Sequence, residues 1–164
     1  MGAIAAPLGT TFRVWAPAAQ QVAVMGTFSE WQPLPLFAEA DGYWGADVPG
    51  ALVGHEYKYN ITTPAGDVLA RNDPYAREVT ASDGNSVVPD LHFAWGDDAF
   101  QMPPWNELVI YELHVGTFNP HNDHEPGTFY GVMGKLPYLH SLGINAIEIM
   151  PPTEFPGGRS WGYN

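Results

Sequence analysis

One short polar loop holds the densest group of side chains in this sequence that could do chemistry. His121, Asp123, His124 and Glu125 lie close together, and imidazole and carboxylate groups are common ligands of divalent metals. The chain has no cysteine, however, and two histidines three residues apart in a polar loop are a weak metal signal. We therefore interpret the loop as solvated and predict no metal site. Because no phosphate loop, nucleophile elbow or dinucleotide fingerprint occurs, we also predict no cofactor.

Carboxylates and aromatic rings are the other candidates, and their chemistry points to sugars. A pair of carboxylates can cleave a glycosidic bond, but Glu112 and Glu148 fall inside apolar stretches that predict strands, so we give them no catalytic role. The chain has 8 Phe, 8 Tyr and 6 Trp, and a flat ring can cover the apolar face of a pyranose. Most aromatic side chains lie in cores, and we expect core or interdomain packing for Trp15, Trp44 and Trp95.

The first half of the chain predicts an antiparallel β-sandwich. Phe12 and Val14 alternate with polar residues, and Tyr57, Tyr59 and Ile61 face one way while Glu56, Lys58 and Asn60 face the other. Turn-forming residues recur at roughly the 8–12-residue spacing of a sandwich, and no helical period occurs before Leu91. Trp31 lies in one of these turns, which is rich in proline, and Lys58 lies on the outward face of its strand.

The second half predicts one β-α-β unit. Leu108 to Val115 and Ile144 to Met150 are apolar stretches typical of buried parallel strands. Between them, apolar residues at helical spacing follow a predicted N-cap at Thr128 and end at Gly143, while Pro137 predicts a break. We predict a sandwich over residues 1–95, a linker over 96–107 and the β-α-β unit over 108–164. A lone unit of this kind leaves edges uncovered, so we expect a longer protein, or self-association through these edges.

Composition excludes several classes of partner. The formal net charge of -12 argues against nucleic acids and anionic membranes, which would both be repelled. The N-terminus lacks the pattern of a signal peptide, and no stretch is long and apolar enough for a membrane span. The absence of cysteine is compatible with a reducing compartment, and we expect the protein to be cytoplasmic.

Several segments resemble, in order, the glycogen-branching and trehalose-releasing members of the α-amylase family of glycoside hydrolases. IYELHVGTF is similar to that family's first barrel strand, KLPYLHSLGINAIEIMP to its first helix and second strand, and EFPGGRSWGYN to the loop that follows. FRVWAPAAQQVAVMGTFSEW, GYWGADVPG, EYKYNI and NDPYA resemble the immunoglobulin-like glycogen-binding module that precedes the barrel. The implied fold is an all-β immunoglobulin-like sandwich followed by the first β-α-β unit of an incomplete (β/α)8 barrel.

The resemblance also implies an activity and its residues. Branching enzymes break an α-1,4 linkage through a covalent glycosyl intermediate and pass the glucan to a sugar 6-hydroxyl. The family's catalytic carboxylates come from later barrel strands, so we expect no catalytic residue in this chain. Glu154 matches a position that the family does not use as nucleophile or acid, and His114 matches a structural neighbour. Tyr163 matches the aromatic residue that stacks on the sugar at the cleavage point.

In the sandwich, the resemblance implies a glucan-binding surface. Trp31 matches an aromatic platform, and Lys58 and Asn85 match positions that hydrogen-bond sugar hydroxyls. The expected partner is an α-glucan such as glycogen, starch or a maltooligosaccharide. The leading hypothesis is that this chain is the N-terminal part of a 1,4-α-glucan branching enzyme. The alternatives are a non-catalytic glucan-binding module, an α-amylase or trehalohydrolase-type hydrolase, and a structural domain without glucan affinity.

Overall fold

The chain divides into two compact units, Met1–Ala94 and Trp95–Asn164. The computed structural model describes residues 1–96, 99–122 and 124–153. No helix in these described ranges is long and apolar enough to cross a lipid bilayer.

The first unit contains nine strands in two antiparallel sheets, which makes it a sandwich, as predicted. The strands are β1 Gly2–Ala6, β2 Gly9–Trp15, β3 Gln21–Gly26, β4 Leu34–Pro35, β5 Phe37–Ala38, β6 Tyr43–Pro49, β7 Glu56–Thr62, β8 Val68–Arg71 and β9 Ser86–Val87. One sheet has the order β1-β2-β6-β5. The other has the order β4-β3-β7-β8, with β9 also paired to β7. Strand β4 therefore forms one edge of the second sheet.

The core between the sheets follows the alternation that the sequence predicts. Phe12 and Val14 of β2, and Tyr57 and Tyr59 of β7, are fully or almost fully buried. The rings of Phe12 and Tyr57 meet edge to face with centroids 4.9 Å apart. Trp44 packs against this core from β6, and its indole Nε1 donates a hydrogen bond to the Ala16 carbonyl. Aromatic pairs and buried apolar area thus hold the two sheets together.

Of the two placements predicted for Trp15, core packing is wrong. Trp15 is the last residue of β2 and is 56% exposed, since strand alternation turns it away from the face that carries Phe12 and Val14. Its indole Nε1 donates to the Asp41 carbonyl, which fixes the ring on the outside of the sheet.

A buried carboxylate beneath β7 is a feature that the sequence alone did not predict. Asp73 is 4% exposed, and its Oδ2 accepts hydrogen bonds from the hydroxyls of Tyr57 at 2.6 Å and Tyr59 at 3.4 Å. Its backbone amide donates to Ser86 Oγ, and its Oδ1 accepts from the Tyr75 amide. Burial, and then the neighbouring carboxylate, raise the pKa of both tyrosines far above the ordinary value. Asp73 therefore fastens the segment after β8 to the core.

The second unit contains a parallel pair of strands with helices between them. Its elements are β10 Ile110–Leu113, α1 Val115–Phe118, α2 Phe129–Met133, α3 Leu136–Ser141 and β11 Ala146–Ile149. The strands pair in register from Ile110 with Ala146 to Leu113 with Ile149. This is the predicted β-α-β order, with shorter strands than the apolar stretches suggest. Strand β10 ends early because His114 is the N-cap of α1.

The helical segment breaks where the sequence predicts. Thr128 caps α2, with its side-chain oxygen accepting from the Gly131 amide. Pro137 occupies the first turn of α3, where its missing amide hydrogen costs little, so the segment forms two short helices instead of one. Gly143 has φ +87°, a left-handed conformation that ends α3. Two strands do not by themselves form a barrel, and the (β/α)8 barrel stays a prediction.

Candidate functional site

Trp31 lies in a tight turn at the end of β3. A 3₁₀ turn over Thr27–Ser29 leads into it, and the Trp31 amide donates back to the Gly26 carbonyl at 2.8 Å. Ser29 Oγ donates to the Gln32 carbonyl at 2.7 Å, which closes the turn from within. Glycine is required at position 26, because a Cβ there would overlap the carbonyl oxygen of Glu56 on β7. The turn is therefore packed directly against the start of β7.

The backbone of this turn is held in an unusual conformation. Glu30 and Trp31 both have positive φ, at 51° and 61°, although neither is glycine. Non-glycine residues rarely adopt the left-handed region, and such positions cluster at binding and catalytic sites. The surrounding hydrogen bonds stabilise the conformation, and the Trp31 side chain is 36% exposed. The turn thus presents a rigidly held tryptophan to solvent.

The outward face of β7 carries the polar groups nearest this turn. Glu56 and Lys58 lie two residues apart on that face, opposite to the one that carries Tyr57 and Tyr59. Lys58 is the register partner of Met25 on β3, and Gly26 is the register partner of Tyr57. The Trp31 amide, bonded to Gly26, is thereby anchored beside the stretch of β7 that holds Glu56 and Lys58.

Asn85 lies beside Glu56 of β7, although it is distant from Glu56 in sequence. Its side-chain Nδ2 donates to Glu56 Oε2 at 2.6 Å, and its backbone is fixed by exchange of two hydrogen bonds with Thr80. Strand β9 follows at once, pairing with β7 at Glu56 and Tyr57. The structure therefore brings the predicted residues Lys58 and Asn85 to one end of β7.

Glu56 is the one member of this group that the sequence reasoning missed as a site residue. The alternation of β7 already placed it on the face of Lys58, which was the available signal. Its link to Asn85 spans 29 positions, and no local pattern could reveal it. By accepting from Asn85 Nδ2, Glu56 fixes the orientation of the Asn85 side-chain amide.

The chemistry of the group suits a neutral polyhydroxylated ligand. It combines an exposed indole, an ammonium, an amide and a carboxylate, which together offer an apolar platform with hydrogen-bond donors and acceptors. The Lys58 ammonium forms no ion pair with any described residue, so its donors are available. We call Trp31, Glu56, Lys58 and Asn85 the Trp31 surface.

The other predicted residues do not form a second site of this kind. His114 Nδ1 lies 3.1 Å from Thr117 Oγ1, which agrees with a structural place at the start of α1. Glu112 and Glu148 are exposed register partners in β10 and β11. Within the described ranges, no group of three or more His, Asp and Glu side chains could hold a metal ion. Asp123, Glu154 and Tyr163 lie outside the described residues.

In the loop that holds His121 and His124, the hydrogen bonds centre on Asn122. Asn122 Oδ1 accepts hydrogen bonds from the backbone amides of His124 and Glu125, and Asn122 Nδ2 donates to Glu125 Oε2 at 3.3 Å. Asn122 therefore organises the loop, and His121 is exposed beside it.

Comparison with known families shows what the first unit resembles. The sequence profile of carbohydrate-binding module 48, the isoamylase N-terminal domain, matches residues 1–76. Residues 1–76 are therefore similar to this family of domains. The matched residues include Trp31, Glu56 and Lys58, whereas Asn85 follows them in the chain.

Similarity to larger proteins extends over both units. The 1,4-alpha-glucan branching enzyme GlgB of Bacillus caldolyticus is 40% identical over 95% of this chain and 25% of its own length. The GlgB of Lactiplantibacillus plantarum is 35% identical over 98% of this chain and 27% of its own length. The solved pullulanase of Anoxybacillus sp. LM18-11, complexed with maltotetraose, has a TM-score of 0.79 and 26% identity over 96% of this chain and 26% of that chain. This chain thus spans about a quarter of the proteins that it matches.

Proposed function

We propose that the chain is part of a 1,4-α-glucan branching enzyme and that its module binds α-glucan on the Trp31 surface. The observation that carries the proposal is the convergence of Trp31, Lys58 and Asn85 at one end of β7. Trp31 and Lys58 lie within the residues that match a carbohydrate-binding module family. Similarity to two branching enzymes over nearly the whole chain supports the enzyme class. The net charge of -12 suits a neutral polysaccharide better than an anionic polymer.

Binding at this surface divides into two physical contributions. The Trp31 ring covers the apolar face of a glucosyl unit, and its left-handed backbone lowers the entropy lost when the ring is fixed. Lys58 and Asn85 then hydrogen-bond the sugar hydroxyls, with Glu56 holding the Asn85 amide in place. Because the ring removes apolar area from water at the centre of the group, it contributes most of the affinity.

The test is titration of glycogen and maltoheptaose against the wild-type chain and Trp31→Ala, by calorimetry. We expect Trp31→Ala to weaken binding by about tenfold or more, since buried tryptophan anchors typically cost about 2 kcal/mol or more when truncated. Trp15→Ala is the matched control, because Trp15 is also exposed but lies on the other sheet. Equal affinity of wild type and Trp31→Ala, or no affinity in either, contradicts binding at this surface.

For the second unit, we propose the start of a (β/α)8 barrel. Its parallel β10 and β11, joined through α1 to α3, have the arrangement from which such barrels are built. We place the catalytic carboxylates in other parts of the enzyme, so residues 1–164 alone should not turn over amylose. Measurable turnover of amylose by these residues would contradict this assignment.

Hydrolysis is the second candidate activity, and similarity to the solved pullulanase favours it. The two activities differ in product: branching converts α-1,4 linkages into branch points without new reducing ends, whereas hydrolysis releases reducing ends. Incubating the full gene product with amylose and, separately, with a branched glucan, and assaying both quantities separates them. New branch points without reducing sugar support the first proposal, and reducing sugar without new branch points, from either substrate, supports the second.

A further inference from the structure

A second feature of the same sheet lies beyond the Trp31 surface. A cavity of about 450 Å³ opens beside the edge strand β4, within the size range of small-molecule sites. Polar lining comes from Gln21, Asn60 and Thr62, and apolar walls come from Pro33, Pro35 and Trp44. We name it the β4 cavity. Nothing in the family match or in the predicted site residues assigns it a role.

The polar lining of the cavity lies on the continuation of the face that carries Lys58, and Trp44 of β6 adds a wall from the other sheet. Asn60 and Thr62 follow Lys58 at two-residue steps along β7, so all three side chains leave the same face of the sheet. The register repeats this on β3, where Ala23 pairs with Asn60 and Gln21 pairs with Thr62. Each step of two residues advances about 6.7 Å along the strand. A ligand that leaves the Trp31 surface along β7 therefore reaches the β4 cavity directly.

The lining selects a neutral ligand with hydroxyl groups. The side-chain amides of Gln21 and Asn60 form no hydrogen bond with any described residue, so each offers both donors and an acceptor. No charged side chain lines the cavity within the described part of the chain, which disfavours phosphates, carboxylates and charged peptides. The Trp44 ring is held by its hydrogen bond to the Ala16 carbonyl, 3.1 Å away, so the apolar wall is fixed before a ligand arrives.

We propose that the β4 cavity is a second α-glucan subsite, and that it binds the same glucan chain as the Trp31 surface. The inference rests on the proposed function, because the ligand class is taken from the Trp31 surface. It adds a length requirement. A short maltooligosaccharide occupies the Trp31 surface alone, whereas a longer one also reaches Gln21 and Asn60 and gains affinity from an intramolecular second contact.

The experiment compares maltotriose and maltoheptaose by calorimetry on residues 1–164. The test variant is Gln21→Ala combined with Asn60→Ala, and Gln20→Ala is the control. Gln20 has the same side chain one position earlier and donates to the Pro64 carbonyl outside the cavity. We expect the double variant to bind maltoheptaose about three- to tenfold more weakly, consistent with the loss of one or two hydrogen bonds. Maltotriose affinity should be unchanged, and Gln20→Ala should match wild type for both ligands.

Other outcomes separate this inference from the proposed function. Unchanged maltoheptaose affinity in the double variant overturns the second subsite and leaves the Trp31 surface standing. Equal weakening of both sugars overturns the length requirement and so the second subsite. No binding of either sugar to wild type overturns both proposals. As a check independent of variants, maltoheptaose but not maltotriose should shift the side-chain amide NMR signals of Gln21 and Asn60 in the wild-type chain. Signals that stay unmoved contradict the inference.

Discussion

The two units differ sharply in how much apolar surface they bury. In the sandwich, eleven buried residues form one core cluster, and Phe12, Tyr57 and Tyr59 within it are fully buried. In the second unit, the buried hydrophobic residues among those described are Leu113, Val132 and Leu139. Large side chains such as Tyr130, 83% exposed, and Trp105, 82% exposed, remain on its surface. Burial of apolar area is the main stabilising contribution to folding, so the first unit is equipped to hold a binding surface by itself and the second is not.

The difference matters for function because a binding surface needs a fixed backbone. The turn that carries Trp31 is packed on β3 and β7, which lie over the core. Within the described residues, β10 and β11 form a two-stranded sheet, so each of them has a neighbouring strand on one side only. We therefore propose that sugar recognition in this chain lies in the sandwich, and we expect the second unit to depend on further packing partners.

Amide hydrogen exchange gives the largest expected contrast between the units. Amides in β3 and β7 should exchange only on global unfolding of the sandwich, whereas those in β10 and β11 should exchange through local opening. We expect protection in β3 and β7 to exceed that in β10 and β11 by roughly a hundredfold or more. Comparable protection in both units, at two protein concentrations to detect self-association, would refute the comparison.

The second-largest effect should come from removing one aromatic ring from the core of the sandwich. Phe12→Ala removes a fully buried side chain that contacts Phe28 and Tyr57, and we expect a loss of about 3–5 kcal/mol in the free energy of unfolding. Phe37→Ala is the control, because Phe37 is 72% exposed and its removal should change that free energy by about 0.5 kcal/mol or less. Urea denaturation of the sandwich measures both. A similar loss in the two variants would contradict the assigned core.

Removal of the buried carboxylate should have a somewhat smaller effect. Asp73→Ala leaves the Tyr57 hydroxyl without its 2.6 Å acceptor inside the core, and we expect a loss of about 2–3 kcal/mol. Tyr59→Phe removes only the longer, 3.4 Å hydrogen bond and should cost about 1 kcal/mol or less. The same denaturation assay ranks the two variants. If Tyr59→Phe were the more destabilising, the described geometry of the carboxylate would be wrong.

Much of the fold could be predicted because local patterns determine it. Alternation along Glu56–Thr62 placed Tyr57 and Tyr59 in the core and Lys58 outside, and both placements are confirmed. Pro137 predicted the break in the helical segment, because proline lacks the amide hydrogen that a helix interior needs. Gly143 predicted its end, because glycine adopts a positive φ without steric cost. The bounds of β10 and β11 were less predictable, since contacts such as the cap of α1 at His114 shorten an apolar stretch.

The candidate site was less accessible from sequence because its contacts are long-range. Lys58 and Asn85 came from a resemblance and Trp31 from a resemblance and its turn, but the Glu56–Asn85 hydrogen bond joins residues 29 positions apart. Asp73 was missed as a core residue for the same reason, because an isolated aspartate in a turn-forming segment carries no burial signal. The left-handed backbone of Glu30 and Trp31 is set by hydrogen bonds around the turn and not by their residue types.

The most direct test of the account is residue-resolved NMR of the 164-residue chain during titration with maltoheptaose. We predict that the Trp31 indole signal and the backbone amides around Lys58 and Asn85 shift together, with one common dissociation constant. Amides of β10, β11 and α3 should remain unchanged in the same titration. Shifts confined to the second unit, or no shifts in the sandwich at saturating sugar, would contradict the claim that the sandwich is the glucan-binding part of this chain.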